Sequence, residues 1–230
     1  MIASRRRSLR IGAVLAGLLA LAVGVTALAS VVVYKNNFAG KAGYRDVTFT
    51  GKGRKACERR WAKDKKRMAV TVKKAPKACH YGPPVRSTSP KPDHEFQVAG
   101  RITKKTPSSL RPTAYIAALV RVSENEHYEL RAFAQGKRFE LLRRPDGPGF
   151  PVQGTNEALK GAGGLNRLRL QAFGNRIRAW VNGAQVANVD DANSNQVQGK
   201  RLEFAIGNQG DSKRDTVGVI EQLKLSVPNP

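Results

Sequence analysis

Cysteine is nearly absent from this 230-residue chain: there are two, Cys57 and Cys79. That excludes a disulfide-dense scaffold and a Cys-rich zinc module. The zinc-protease HExxH pattern, the phosphate-binding P-loop and the GxSxG nucleophile elbow are missing as well. Its three histidines, His80, His94 and His127, have no acid or cysteine partner at ligand spacing, beyond the Glu residues beside His127. After residue 33 no helical period of useful length occurs. Acidic side chains are scarce, with 17 Asp and Glu against 41 Lys and Arg, for a net charge of +24. Wholesale disorder is excluded, because 40% of the residues are hydrophobic.

The positive charge is unevenly placed. Residues 34–80 hold 15 basic and 3 acidic residues, a local excess of +12, whereas residues 111–230 carry an excess of +5. A global basic excess suggests nucleic acid. Position argues against it: apart from Trp61 the basic stretch has few aromatics, and no nucleic-acid-binding module is visible.

Ile11–Val33 is 23 residues without a charge, long enough to cross a hydrocarbon core of ~30 Å as a helix. Residues 1–10 carry Arg5, Arg6, Arg7 and Arg10 and read as a cytoplasmic basic n-region. Ala27-Leu28-Ala29 fits an A-x-A cleavage site. Cleavage there would still leave Val31–Val33 apolar, which favours an uncleaved signal anchor over residues 11–33. Lys35, Lys41, Arg45 and Lys52 come soon after the span, so the positive-inside count is nearly tied. The extreme N-terminal position of the run and the two cysteines favour an extracytoplasmic domain. The expectation is a single-pass cell-membrane protein.

Residues 34–53 read as a Gly-rich tether. Residues 54–94 are a basic, Cys-bounded segment and a Pro-rich loop, expected to hold the first strands of the β domain. A Cys57–Cys79 bridge would close a loop carrying Arg59, Arg60, Lys63, Lys65, Lys66, Arg67, Lys73 and Lys74. This is a cationic patch, suited to anionic lipid head groups or an envelope polysaccharide. Met68–Val72 alternates as a strand would. Four prolines in Gly82–Asp93 exclude helix and central strand there.

Residues 95–230 read as β throughout. Strands are expected over Glu95–Ile102, Thr113–Val122, His127–Phe133, Arg138–Leu142, Leu165–Phe173, Arg176–Val181, Ala184–Val189, Arg201–Ile206 and Val217–Val227, separated by Gly, Asn, Asp and Pro turns. Short strands and short turns imply an all-β antiparallel sandwich or barrel. Gly174-Asn175 and Asn182-Gly183 have the chemistry of two-residue hairpin turns. The register comes from them. Phe173 faces Arg176, Leu170 faces Ala179 and Leu168 faces Val181; then Trp180 faces Gln185 and Ala179 faces Val186. Leu168, Leu170, Ala172, Ile177, Ala179, Val181 and Val186 then share the core side. Arg167, Arg169, Gln171, Arg176, Arg178, Trp180, Gln185 and Ala187 share the other. Arg169 and Trp180 are placed for a cation–π contact. Trp180, Arg169, Arg178, Arg167, Gln171 and Gln185 form a candidate ligand face, the tryptophan stacking on a sugar while arginines hold an anion. A solvated or covered face is the competing reading.

Asn166–Arg169, Gly174–Ile177, Trp180–Gly183, Val186 and Asp190 together resemble the recurrent segment of concanavalin A-like lectin/glucanase domains, in particular laminin-G-like and 3-keto-disaccharide-hydrolase-like members. Gly199, Phe204–Gly207 and Val219–Val227 sit where such domains place closing strands. The resemblance covers about Glu95–Val227 and implies a jelly-roll sandwich. With the N-terminal span, the layout is similar to actinobacterial membrane-anchored envelope proteins and to the outer halves of sensor kinases, although kinase signatures are absent. Glycosidases of this fold carry E-x-D-x-x-E; Glu124, Glu126 and Glu129 have that spacing, in a stretch that also reads as a solvated acidic turn between two strands. Some members bind Ca²⁺, for which Asp190, Asp191, Asn193 and Asn195 are oxygen donors without EF-hand spacing; a plain Asx-rich turn is the favoured reading of them. The expected function is a non-catalytic, membrane-tethered binding module for an anionic envelope glycan or lipid surface. A hydrolase and a protein-interaction subunit are the alternatives.

Overall fold

The computed structural model describes residues 30–62, 66–84 and 93–228. Strands in chain order are β1 (Ser30–Asn36), β2 (Thr48–Phe49), β3 (Cys57–Ala62), β4 (Arg67–Val72), β5 (Ala75–Gly82), β6 (His94–Ile102), β7 (Ala114–Val122) and β8 (His127–Phe133). They continue with β9 (Arg138–Arg144), β10 (Val152–Thr155), β11 (Asn166–Phe173), β12 (Arg176–Val181), β13 (Ala184–Asp190), β14 (Arg201–Ser212) and β15 (Thr216–Pro228). One short helix, α1 (Lys41–Asp46), comes after β1. The first sheet runs β13–β12–β11–β6–β15–β4–β3, with β1 also paired to β15. The second runs β10–β9–β8–β7–β14–β5–β2. Every pairing is antiparallel.

The two sheets enclose a core to which each strand contributes alternate residues. Leu168, Leu170 and Ala172 of β11 face Ile177, Ala179 and Val181 of β12, all fully buried. Trp180 pairs with Gln185 as the turn chemistry requires, but Ala179 pairs with Ala187, not Val186. The shift is a bulge. Without it Asn188 and Asp190 would point inward; the extra residue puts Ala187 and Val189 on the core side instead, and Val186 is left partly buried.

Strand β7 has no alternation, and all nine of its residues are buried. Ala114, Ile116, Ala118 and Val120 belong to the main core, while Tyr115, Ala117 and Leu119 form a second apolar cluster with Phe133 and Ala205. The second sheet is therefore apolar on its outer face too.

Residues 34–53 differ from the tether expected of them. They hold the end of β1, α1 and β2, and Phe38 and Val47 are fully buried in the core. Asn36 ties this segment down. Its Oδ1 accepts from the Phe38 N–H at 2.8 Å and its Nδ2 donates to the Gly43 carbonyl at 2.7 Å. A side chain at Gly43 would meet Asn36 Oδ1 at 2.6 Å and push Asn36 off these partners. Ser30–Val33, the end of the uncharged run, is β-strand. Residues 1–29, and with them most of the expected span, lie outside the described residues; among those described, no helix is long and apolar enough to cross a membrane. Most of the Pro-rich loop also lies outside.

Cys57 and Cys79 are bridged, with Cα atoms 5.6 Å apart. The bridge joins β3 of the first sheet to β5 of the second, and so clamps the sandwich where β3 is an edge strand. Closing a loop of this length stabilises by roughly 3 kcal/mol on the chain-entropy account. Thermal unfolding with and without reductant, and of Cys57→Ser with Cys79→Ser, should show a loss of that size and a lower Tm.

Candidate functional site

The outer face of the second sheet is built in rows fixed by strand pairing. In the first row Leu119 of β7 lies between Glu203 of β14 and Glu129 of β8. In the next, Ala117 lies between Ala205 and Arg131, with His80 beyond Ala205 and Glu140 beyond Arg131. A third row places Tyr115 between Gly207 and Phe133. Tyr115 lies across β14: a Cβ on Gly207 would meet its ring at 2.4 Å. The floor is apolar and small in its middle, and charged side chains rise at its sides.

Those side chains cover the floor. Arg131 stacks on Tyr115 at 4.7 Å and Arg138 on Phe133 at 3.7 Å. Glu129, 2% exposed, accepts a hydrogen bond from Arg131 Nη2 at 2.6 Å. Burial opposes the charge on the Glu129 carboxyl, but the Arg131 guanidinium outweighs it and holds the group below the usual carboxylate range. The same pairing, against burial, pushes Arg131 up. Burial lowers His127, whose Nε2 lies 3.8 Å from Glu129. His80 Nδ1 lies 3.3 Å from Glu203. Glu129 Oε1 and Arg131 Nε are buried and have no hydrogen-bond partner among the described residues.

At the β7–β8 end this face deepens into a cleft of about 620 Å³. Leu119 and Val122 give its apolar part; Lys52, His80, Glu124, His127, Arg201 and Glu203 give its polar walls. It offers both donors and acceptors around an apolar floor, which suits a polyhydroxylated ligand. Glycoside hydrolysis needs one carboxyl kept protonated as general acid, a role that Glu129 does not fill. Glu129 is instead held ionised.

Glu124, Glu126 and Glu129 do not project together from one strand as E-x-D-x-x-E would. Residues 123–126 are the turn between β7 and β8, and only Glu129 is on a strand. Glu124 is exposed at the cleft rim. Glu126 is used in the turn, accepting from Ser123 Oγ at 3.2 Å and the Gln198 N–H at 3.3 Å. Glu203, Arg201, Arg131 and Glu140 escaped the sequence reading, and His80, expected to lack an acid partner, has one in Glu203. Their signal is there: in His127–Phe133 and Arg201–Ile206 the residues between the buried Tyr, Leu, Phe and Ile positions point to the other face of the same sheet.

The arginine–tryptophan set lies on the outer face of the first sheet. Arg169 stacks on Trp180 at 3.6 Å, so one ring face is already occupied. Gln171 Nε2 donates to Glu95 at 3.2 Å, and Arg178 Nη1 lies 3.5 Å from Gln171 Oε1. Arg167 and Gln185 are exposed. The set is thus on the opposite side of the sandwich from the cleft.

Among the described residues, the cationic segment does not present all its charges on one surface. Arg59 turns inward, over the Tyr44 ring at 4.7 Å, and donates to the Val47 carbonyl. Arg60 and Lys66 are exposed, Arg67 is partly buried, and Lys73, beside the exposed Lys74, pairs with Glu58 at 3.4 Å. Alternation along β3 separates Arg59 from Arg60. Lys63 and Lys65 lie outside the described residues.

Asp191 is not arranged for Ca²⁺. Its Oδ2 accepts from Tyr128 Oη at 2.6 Å and Arg143 Nε at 2.7 Å, and its Oδ1 from the Asn193 N–H at 3.0 Å. A buried cation therefore already occupies the carboxylate. Asp190 is exposed beside Arg176 at 3.5 Å. Among the described residues no cluster of three or more metal-ligating side chains occurs.

No family model matches the chain, and no curated protein matches it by sequence. Solved structures do match. A carbohydrate-binding module, CBM66 from Bacillus subtilis, superposes with TM-score 0.55 at 9% identity, over 76% of this chain and 92% of that one. A protein of unknown function with galectin-like fold from Bacillus subtilis gives 0.59 at 11% identity, over 86% and 97%. A laminarinase from Flavobacterium sp. UMI-01 gives 0.58 at 10% identity, over 84% and 99%.

The fold is the concanavalin A-like jelly roll. Two features of this jelly roll are set by buried ionisable groups. Arg143 and Asp191 each have side chains 1% exposed, so Asp191→Ala leaves an uncompensated buried cation. It should cost about 3–5 kcal/mol by urea unfolding, and added Ca²⁺ should leave the wild-type Tm unchanged. His94 is buried, its Nε2 accepting from the Arg121 N–H at 3.3 Å; burial first, and Arg121 second, push its pKa down to about 3. The unfolded chain takes up that proton below about pH 6.5, whereas the native state does not until about 3. Stability is therefore full above pH 6.5 and falls as pH drops through that window, by about 1.4 kcal/mol per pH unit. Urea unfolding at pH 7 and pH 5 should show the loss, and His94→Gln should reduce it.

Proposed function

We propose that this chain is a non-catalytic glycan-binding module, held at the cell membrane by its uncharged N-terminal run with the jelly roll outside, and that the glycan sits in the cleft on the outer face of the second sheet. The observation that carries the reading is the cleft itself: an apolar floor at Leu119 and Val122, ringed by Lys52, Arg201, His80, His127, Glu124 and Glu203. Sugars present hydroxyl rims, and the donors and acceptors of these walls match them. Lys52 and Arg201 suit an anionic envelope polymer. The neighbouring folds support the class of ligand: one is named a carbohydrate-binding module, another a laminarinase, and a κ-carrageenase was solved with an oligotetrasaccharide of κ-carrageenan.

Affinity electrophoresis of the full chain through gels containing laminarin, κ-carrageenan or polygalacturonate tests it. Retardation by at least one polymer is expected, weakened about tenfold or more by Arg201→Ala and Glu203→Gln, with no reducing sugar released. Unretarded migration on all three at low salt would remove the binding reading. Release of reducing ends, lost in Glu203→Gln, would replace it with hydrolysis.

A further inference from the structure

The outer face of the first sheet carries a charge pattern that the cleft does not use. Lys35 on β1 stands opposite Lys224 on β15, like charges side by side. The row continues through Gln97 to Arg169 and Trp180. Arg167 and Arg178 flank it in the adjoining rows. Acids on this face are engaged already: Glu95 accepts from Gln97 at 2.8 Å and from Gln171 and lies 3.8 Å from the half-exposed Arg169, Glu221 pairs with Arg101 at 2.6 Å and Asp190 with Arg176 at 3.5 Å, so Lys35 and Lys224 are the row's unneutralised pair. Like charges placed opposite each other repel, and an anionic surface against the sheet relieves that repulsion.

The same face is apolar where the chain enters it. Val32 pairs with Ser226, which pairs with Glu95, so Val32 is on the cationic side. Val31, Val32 and Val33 are 47%, 47% and 46% exposed. Residues 11–30, directly before them, contain no charge. Exposed valines next to a cationic sheet face, with a half-buried tryptophan in the central row, match the layered chemistry of a bilayer surface: acyl boundary, then phosphate.

We propose that the outer face of the first sheet rests on anionic phospholipid head groups, with Val31–Val33 at the acyl boundary and the Lys35–Lys224–Arg169 row against the phosphates. The cleft on the opposite sheet then faces away from the lipid and stays open to glycan.

The chain has two tryptophans, and Trp61 donates to the Phe38 carbonyl from the inner side of β3, so the two report different surfaces. The full chain, as Trp61→Phe and separately as Trp180→Phe, is reconstituted into phosphatidylcholine vesicles with and without phosphatidylglycerol, each containing a nitroxide-headgroup lipid. Trp180 emission should be quenched several-fold more in the phosphatidylglycerol vesicles, the excess should vanish at roughly 0.5 M salt, and Trp61 should respond little. Lys35→Glu with Lys224→Glu should abolish the difference. Hydrogen exchange of the unmodified chain gives a second reading that needs no tryptophan variant: amides of β11 and β12 should slow in phosphatidylglycerol vesicles only. Equal quenching and equal exchange in both vesicle types would overturn the proposal. So would a slowing of β11 and β12 that appears in phosphatidylcholine vesicles on adding polygalacturonate and not with phosphatidylglycerol, which would give this face to a wall polymer.

Discussion

Burial of β7 on both faces is the constraint on which the rest of the molecule depends. A strand in an ordinary sandwich needs only its inner residues covered. Here Tyr115, Ala117 and Leu119 on the outer side are as buried as Ile116 and Val120 on the inner. No second layer of strands covers them among the described residues. Cover comes from long charged side chains on neighbouring strands, which lay their apolar stems and planar groups over the floor. Arg131 on Tyr115 and Arg138 on Phe133 are the clearest cases. Charges brought over an apolar floor lose solvent, so they must be paired, and Glu129 and Glu140 supply the partners. Where the paired side chains stop, at Leu119 and Val122, the face opens as the cleft. The same requirement thus produces both the ionic cover and the place where a ligand can enter.

Much of the fold was legible because alternation and turn chemistry are local. Residues 166–190 show how far this goes. Gly174-Asn175 and Asn182-Gly183 set the register, and the resulting cross-strand partners hold through Gln185. The reading failed one residue later, at the bulge, because a bulge satisfies a change of hydrophobic phase that a regular ladder cannot. Residues 34–53 were misread for a different reason. Phe38 and Val47 are isolated apolar residues in a polar, Gly-rich context, and only the tertiary structure provides the core they enter.

The site was less legible than the fold. Glu129 drew attention through its spacing to Glu124 and Glu126, yet those two belong to the turn. Its spatial neighbours, Glu203 and Arg131, come from a strand more than seventy residues away and from the next outward position on its own strand. Pairing across β7 brings them together, and no linear motif records it. Trp180 and its arginines were legible as one face, since they share a hairpin whose register could be read. Their position on the other side of the sandwich from the cleft required the whole topology. The charge excess divides in the same way: Arg59 is drawn into the fold, Lys73 is paired, and Lys35, Lys224, Arg167 and Arg169 gather on a sheet face although they are far apart in sequence.

The central claim is that a glycan occupies the outer face of the second sheet. Hydrogen exchange of the full chain with and without laminarin-, κ-carrageenan- or galacturonate-derived oligosaccharide tests it most directly, since it reports position whatever the affinity. The account predicts slowed exchange in β7, β8 and the first half of β14, with β11 and β12 unchanged. Protection confined to β11 and β12, with none in β7, β8 or β14, would contradict it.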